Sequence, residues 1–417
     1  MKTESSSLLL ATTRRTANPS GRLRVAASAG AMLDILRDHW LHAAGDAAAT
    51  GLAVSRIDYE MMVGGANGGR ATRLSGAFFA DASRAAGQKA APVGDDRVPG
   101  FALVRKGSLR REVLAAALHV PARRVGAGAA EVLNSPAEGH ALVRFRFGRA
   151  GGTLPLSVIA HMYEGSSPGG SKAFAAMTKL RRHGLDSSAG GVGGGGRVAR
   201  PIAYVPRWRM ILREDVTGAT LRHLPATKQE AGAGAIGRLL ARLHRAPPGV
   251  ARGPAATRDA ADLESLVALA IEVMPYQLAA VAGAHADVRR DFAKLPAHEP
   301  RLIHGDFQPR HLLIDGNDAV LLDCDSVGQG DPARDIGTFL AHLRLLTLRG
   351  GEAWPEMELA FLAGYGALDP ALESRTIAYL KAELLALACR CAFSTPQREN
   401  VRPLLHQIGR GVPALAV

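Results

Sequence analysis

The stretch from Arg301 to Leu340, RLIHGDFQPRHLLIDGNDAVLLDCDSVGQGDPARDIGTFL, constrains the chain more than any other. Two mostly apolar tetrads, His311-Leu312-Leu313-Ile314 and Ala319-Val320-Leu321-Leu322, flank Asp315-Gly316-Asn317-Asp318. A turn-rich tetrad between two buried-strand patterns predicts a β-hairpin. Closing that hairpin brings His311, at the start of its first strand, to the same end as Asp323, just past its second. Asp306 lies on the loop feeding that end. Two potential metal ligands, His311 and Asp323, and a free carboxylate are thus gathered from eighteen consecutive positions.

The same residues carry a family resemblance. His304-Gly305-Asp306, the His311 position, Asp323-Cys324-Asp325 and Gly330-Asp331-Pro332-Ala333-Arg334-Asp335 resemble the catalytic segment of aminoglycoside phosphotransferase and choline kinase-like proteins. The resemblance runs from about Val98 to the C-terminus. It implies an α+β, two-lobed protein kinase-like fold, with a small antiparallel β N-lobe (97–213), a larger helical C-lobe (214–417) and an N-terminal extension (31–96). It implies an ATP-dependent phosphotransferase acting on a hydroxyl of a small molecule, with Mg2+ as cofactor and Mn2+ as an alternative. The catalytic loop would span 304–311 and the metal-binding segment 323–325. Asp306 would orient the acceptor hydroxyl and take its proton, Asp323 would bind the metal, and His304 would fix the loop by hydrogen bonding. Asp335 would tie that loop down through backbone amides, and Glu214-Asp215-Val216 would form the hinge that holds the adenine.

Three positions depart from the family pattern. His311 stands where a metal-binding asparagine is usual, and imidazole suits manganese or zinc better than magnesium. His161, in Ala160-His161-Met162-Tyr163, stands where a phosphate-gripping strand lysine is usual, and is neutral near pH 7 unless a phosphate raises its pKa. No acid occurs between Glu164 and Asp186 to pair with such a lysine. Arg144, Arg146 and Lys172 are the candidate replacements. The departures also admit a second reading, a kinase-fold binding module that has lost turnover.

Composition narrows the remaining classes. The 417 residues, 47% of them hydrophobic, suffice for two or three packed units, and no apolar run approaches a membrane span. The formal charge of +13 would suit an acidic partner, but the arginines are scattered and no dedicated nucleic-acid motif accompanies them. The cysteines Cys324, Cys389 and Cys391 are odd in number and lack zinc spacing, as expected of free thiols in a reducing cytoplasm.

Local patterns fill in the elements. Residues 1–30 read as a disordered basic tail, with a transit peptide as the alternative, and Ala31–His42 as a short amphipathic helix. Short β-like pieces follow in 55–96 around the glycines of 64–69, read as a surface turn because no P-loop lysine follows. Ser108 is a candidate cap for a helix running to Leu118. Strands are expected over Ala141–Phe147, Leu156–Tyr163 and Pro201–Leu212, and helices over Ser171–His183 and Ile236–His244. The glycines of 190–196 read as a flexible connection. Asp331-Pro332 and Asp369-Pro370 each combine a helix N-cap with proline in the first turn.

Overall fold

The computed structural model describes residues 56–63, 72–79 and 98–409, apart from 126–127, 135–139, 148–156, 166–168, 187–195, 248–252, 254, 256–259, 349–353 and 394. The tail at 1–30, the helix expected at 31–42, the glycines of 64–69 and most of the glycine run at 190–196 lie outside the described residues. The β-like pieces of the extension include an antiparallel pair, β1 (Arg56–Val63) and β2 (Thr72–Phe79), with Arg56 opposite Phe79.

The N-lobe is built on a five-stranded antiparallel sheet. Its strands are β3 (Ala129–Asn134), β4 (His140–Arg146), β5 (Ser157–Tyr163), β7 (Pro201–Val205) and β8 (Met210–Glu214), in the order β3-β4-β5-β8-β7. A two-residue strand, β6 (Arg197–Val198), precedes β7. Strand periodicity sorts the side chains into two faces. Val143, Phe145, Val158, Ala160, Met162, Met210 and Leu212 pack under Phe101, Leu103 and helix α1 (Gly107–Ala117). Leu142, Arg144, Ile159, His161, Tyr163, Ile211 and Arg213 share the opposite face, toward the C-lobe. There Tyr163 and Ile211 meet Ala173 and Phe174 of α2 (Gly169–Leu180).

Two local expectations are corrected. Pro201–Leu212 is a hairpin, not one strand: Pro206 opens a tight 3-10 turn and Arg209 takes a left-handed φ of 46°, which reverses the chain. Ser108 does not cap its helix, which starts one residue earlier, at Gly107, with no side-chain cap.

The hairpin of the central stretch forms as β10 (Leu312–Asp315) and β11 (Asp318–Leu321), with Leu312 opposite Leu321. It begins one residue later than its sequence pattern because Pro309 starts a single 3-10 turn that holds His311. β6 pairs in parallel with β11, so the segment after the N-lobe helix is stitched into the C-lobe hairpin. β9 (Arg301–Ile303) pairs with β12 (Gly328–Gly330), which places loops 304–311 and 322–327 side by side.

Helices enclose this unit. α3 (Ala226–His244) packs on α7 (Trp354–Tyr365) so closely that a methyl group on Gly237 would overlap the Phe361 carbonyl oxygen. α4 (Ala260–Val273), α5 (Leu278–Ala293), α6 (Pro332–Leu348), α8 (Pro370–Ala392) and α9 (Val401–Gly409) complete one continuous apolar core with Phe307, Phe339 and Phe361. Both expected caps form: Asp331 accepts from the Ala333 amide at 3.0 Å and Asp369 from the Leu372 amide at 2.8 Å. Cys324, Cys389 and Cys391 are free and buried. Among the described residues no helix is long and apolar enough to cross a membrane.

Candidate active site

Loop 304–311 is fixed from beneath by one carboxylate. Asp335, 0% exposed in the first turn of α6, accepts the amide N–H of His304 at 2.6 Å and of Gly305 at 2.9 Å, and His244 Nε2 lies 3.1 Å away. Burial pushes its pKa up, but the hydrogen bond from His244 and the contacts with His304 outweigh that and hold it below the usual carboxylate range. His244 Nδ1 in turn meets the Tyr365 hydroxyl at 2.9 Å.

His304 then joins the two loops. Its Nε2–H donates to the Asp323 carbonyl, and its Nδ1 accepts the Asp306 amide at 3.3 Å, so neither nitrogen is spare for chemistry. Gly305, with φ +83°, lets the loops touch: a Cβ there would lie 2.8 Å from the Ser326 carbonyl oxygen.

The two carboxylates anticipated from sequence face one cleft. Its cavity of about 340 Å³ is lined by His161, Arg213, His304, Asp306, His311, Asp323 and Asp325, among others. Asp306 is half-buried, and the buried Gln308 donates its amide to Oδ1. Asp323 Oδ1 accepts the Asp325 amide at 3.1 Å. Burial raises its pKa, yet His161, His311 and His304 around it bring it well below the ordinary value.

His311 comes to the Asp323 end, as the hairpin requires, but both of its ring nitrogens are engaged. Nδ1–H donates to the Asp306 carbonyl at 3.0 Å, and Nε2 accepts from Arg310 Nε at 3.0 Å. Burial lowers its pKa against the pull of Asp323 and Asp306.

His161 enters the cleft from β5 and stacks on Tyr163 with ring centroids 4.2 Å apart. The Tyr163 hydroxyl donates to Asp325 at 2.7 Å, so its 3.0 Å contact with His161 Nδ1 must be accepted from that nitrogen. Nε2 is left as a buried acceptor with no protein partner. Burial lowers the His161 pKa to about 4, with Asp323 opposing and His140, Arg213 and His311 adding to the fall. The imidazole is neutral at pH 7. Burial and the Asp323 charge push Asp325 up to about 8.

The arginines expected to replace the strand lysine are turned elsewhere. Arg144 binds Asp215 at 2.7 Å and Glu131 at 3.1 Å, and the exposed Arg146 binds Glu131 at 2.9 Å. Carboxylates on β3 and after β8 neutralise both, and neither lines the cleft. Lys172 is exposed on α2. At the expected hinge the Glu214 carboxylate pairs with Arg197, Asp215 also accepts from Ser157 at 2.6 Å, and Val216 packs into the C-lobe core. Backbone bonds between Ala219 and Ile314, at 3.1 and 2.8 Å, tie the segment after this hinge to the hairpin.

Sequence reasoning missed Arg213 and Gln308. The alternation of Met210 and Leu212 with Ile211 and Arg213 was the available signal for the first. Gln308, between the two motif residues, offered none.

A β-sheet lobe above a helical lobe, with paired acidic loops in the cleft between them, defines the protein kinase-like fold. Residues 155–376, more than half of the chain, match the phosphotransferase enzyme family, and the chain belongs to that family. Among solved structures it is similar to the amicoumacin kinase hAmiN in complex with AMP-PNP, Ca2+ and Ami, at 15% identity and TM-score 0.50, covering 73% of this chain and 94% of that one. It is also similar to a choline/ethanolamine kinase family protein from Mesorhizobium loti, at 16% identity and TM-score 0.48 over 73% and 93% of the chains. An apo thermostable mutant of aminoglycoside phosphotransferase APH(4)-Ia shows 15% identity and TM-score 0.47 over 72% and 97%. No curated protein matches the sequence at a significant level.

Proposed function

We propose that the cleft transfers the terminal phosphoryl group of ATP to a hydroxyl of a small molecule. One observation carries this reading: Asp306 and Asp323 reach the same cleft from two loops that His304 joins and Asp335 anchors. Phosphoryl transfer asks a protein mainly for position and charge, and a rigid loop holding a half-exposed carboxylate supplies position. Asp306 would accept the hydroxyl proton as the oxygen bonds to the γ-phosphorus and ADP leaves with the electrons of the broken P–O bond. Gln308 is bound to Oδ1 of that carboxylate, and Oδ2, 3.8 Å from Arg310 Nη2 and His311 Nδ1 and beyond hydrogen-bond reach of both, would meet the acceptor.

The donor set fits one divalent ion only in part. Asp323 is an anionic oxygen donor facing the cleft, as a hard cation requires, although Asp325 shares its carboxylate through the 325 amide and side chain. His311 does not fit as it stands, since a second ligand would need a lone pair already given to Arg310. A bound magnesium or manganese ion would neutralise phosphate charge. The resemblance to a kinase whose structure holds AMP-PNP and Ca2+ supports nucleotide and divalent ion as partners. The hinge at 214–216 would hold the adenine through its backbone, because its acidic side chains are spent on Arg197 and Arg144. No observation of its own favours the binding-module reading.

The test is transfer of labelled γ-phosphate from ATP, with Mg2+ or Mn2+, to a panel of aminoglycosides, amino alcohols and sugars. Asp306→Asn should lower turnover by about 10²- to 10⁴-fold while ATP still binds. Turnover unchanged in that variant would remove Asp306 from the chemistry and the reading with it.

A further inference from the structure

We propose that Arg213 grips the nucleotide phosphates, in the role that this chain's β5 histidine has left open. The assignment rests on the nucleotide reading above. Arg213 stands on β8 opposite Ile159, and His161 on β5 stands opposite Ile211. Ile159 and His161 point to the same face, so Arg213 and His161 are diagonal neighbours, a separation that a long side chain spans. Both line the cavity that holds Asp306 and Asp323.

The environment of Arg213 calls for an anion. It is only 7% exposed, and Asp323, Asp215 and Glu214 act on its charge from a distance, but among the described residues none of them forms an ion pair with its guanidinium. Its Nη1 donates to the neighbouring Glu214 carbonyl at 3.2 Å. Buried cations are ordinarily paired, because desolvation without a partner is unfavourable. The other buried arginines in the described residues obey that rule: Arg344 pairs with Glu358, and Arg375 with Asp331. Arg213 is the exception, and it opens on the cleft. Nε and Nη2 remain for a phosphate, whose oxygens match the planar fork of a guanidinium.

Arg310 also lines the cavity, but its Nε is bound to His311 Nε2 at 3.0 Å and its Nη2 lies 3.8 Å from Asp306 Oδ2, at the acceptor end of the cleft. His161 is neutral, Arg144 and Arg146 are neutralised by Glu131 and Asp215, and Lys172 is exposed on α2. The usual lysine needs a helix glutamate to hold it. Arg213 needs none, since its own strand and the Glu214 carbonyl fix the fork.

The experiment titrates full-length protein with ATP, inorganic tripolyphosphate and adenosine, with Mg2+ present, by calorimetry. Wild type is compared with Arg213→Met and Arg213→Lys, each first checked by its melting curve. Loss of a charged hydrogen-bonding partner should weaken ATP and tripolyphosphate by about 10- to 100-fold in R213M. Adenosine binding should stay within twofold, and R213K should recover part of the loss. Apo R213M should melt within a few degrees of wild type, because Arg213 gives up no ion pair and the loss of its longer-range attraction to Asp323 is offset by the removal of a buried charge. If R213M binds ATP and tripolyphosphate as tightly as wild type, or if it melts several degrees lower and loses adenosine equally, Arg213 is structural and the assignment falls alone. Wild-type protein that takes up neither ATP nor tripolyphosphate overturns the nucleotide reading and this assignment together.

Discussion

Asp335→Asn tests whether one buried carboxylate holds loop 304–311 in place. Asp335 receives two backbone amides, from His304 and Gly305, and lies against His244, all out of contact with water. Asparagine has one acceptor oxygen, and its NH2 group must face at least one of those donors. The variant therefore loses a hydrogen bond to a charged group, worth about 1.5–3 kcal/mol, and buries an unpaired donor at about 1–3 kcal/mol more. A total of about 2.5–6 kcal/mol, at ~2 °C per kcal/mol for a large unit, is a fall in Tm on the order of 5–12 °C. The pH dependence has a definite sign. Asp335 is held below the ordinary carboxylate value, so its stabilisation is fully present above about pH 4 and is lost as pH falls through the lower folded value. The gap between wild type and D335N should be constant from about pH 5 to 8 and close in stronger acid. Turnover should fall as well, because a displacement of ~1 Å at Asp306 is enough for roughly 100-fold. Scanning fluorimetry over that range, with phosphotransfer at 25 °C, makes the comparison. Equal melting at pH 7 with unchanged turnover would refute the anchoring role.

Asp325→Asn should flatten the pH dependence of stability in metal-free buffer. An acid raised to about 8 in the fold stays protonated while its unfolded counterpart ionises, so the contribution of Asp325 to stability is full below about pH 4 and falls as pH rises toward 8. Asparagine still accepts from Tyr163 but does not titrate; equal Tm slopes between pH 5 and 8.5 for the two proteins would count against the argument. Arg344→Met should destabilise by about 3–5 kcal/mol by stranding Glu358, held by Arg344 at 2.8 and 3.2 Å, in the core. R344M/E358M should regain most of that in urea unfolding, and a double variant as weak as the sum of the single ones would show that the pair is not the unit.

The limits of sequence reasoning in this chain follow from the range of each interaction. The hairpin, the Asp331 and Asp369 caps and the convergence of Asp306, His311 and Asp323 depend on neighbours within a few residues or on strand periodicity, and they were legible. The fates of Arg144 and Arg146 were not. They depend on Glu131, thirteen and fifteen residues away on a strand that its own sequence does not announce, and on Asp215, seventy-one residues from Arg144. The same limit hid the turn at Pro206–Arg209, whose alternation looks continuous until φ at Arg209 changes sign.

His161 and His311 illustrate a subtler limit, because both reach the cleft while the hydrogen bonds that occupy their ring nitrogens were not readable. What a histidine can do is set by which nitrogen its neighbours occupy. Arg310 and the Asp306 carbonyl take both nitrogens of His311, while Tyr163 takes one of His161 and leaves the other bare. If Arg213 holds the phosphates as proposed, the loss of the strand lysine is not a separate defect. A lysine at 161 would place a second permanent cation diagonally beside a buried guanidinium, with no glutamate on α2 to divide the charge. A neutral imidazole there, bonded to Tyr163, which in turn donates to Asp325, adds no such charge and would let an arginine on the adjacent strand stay buried and available.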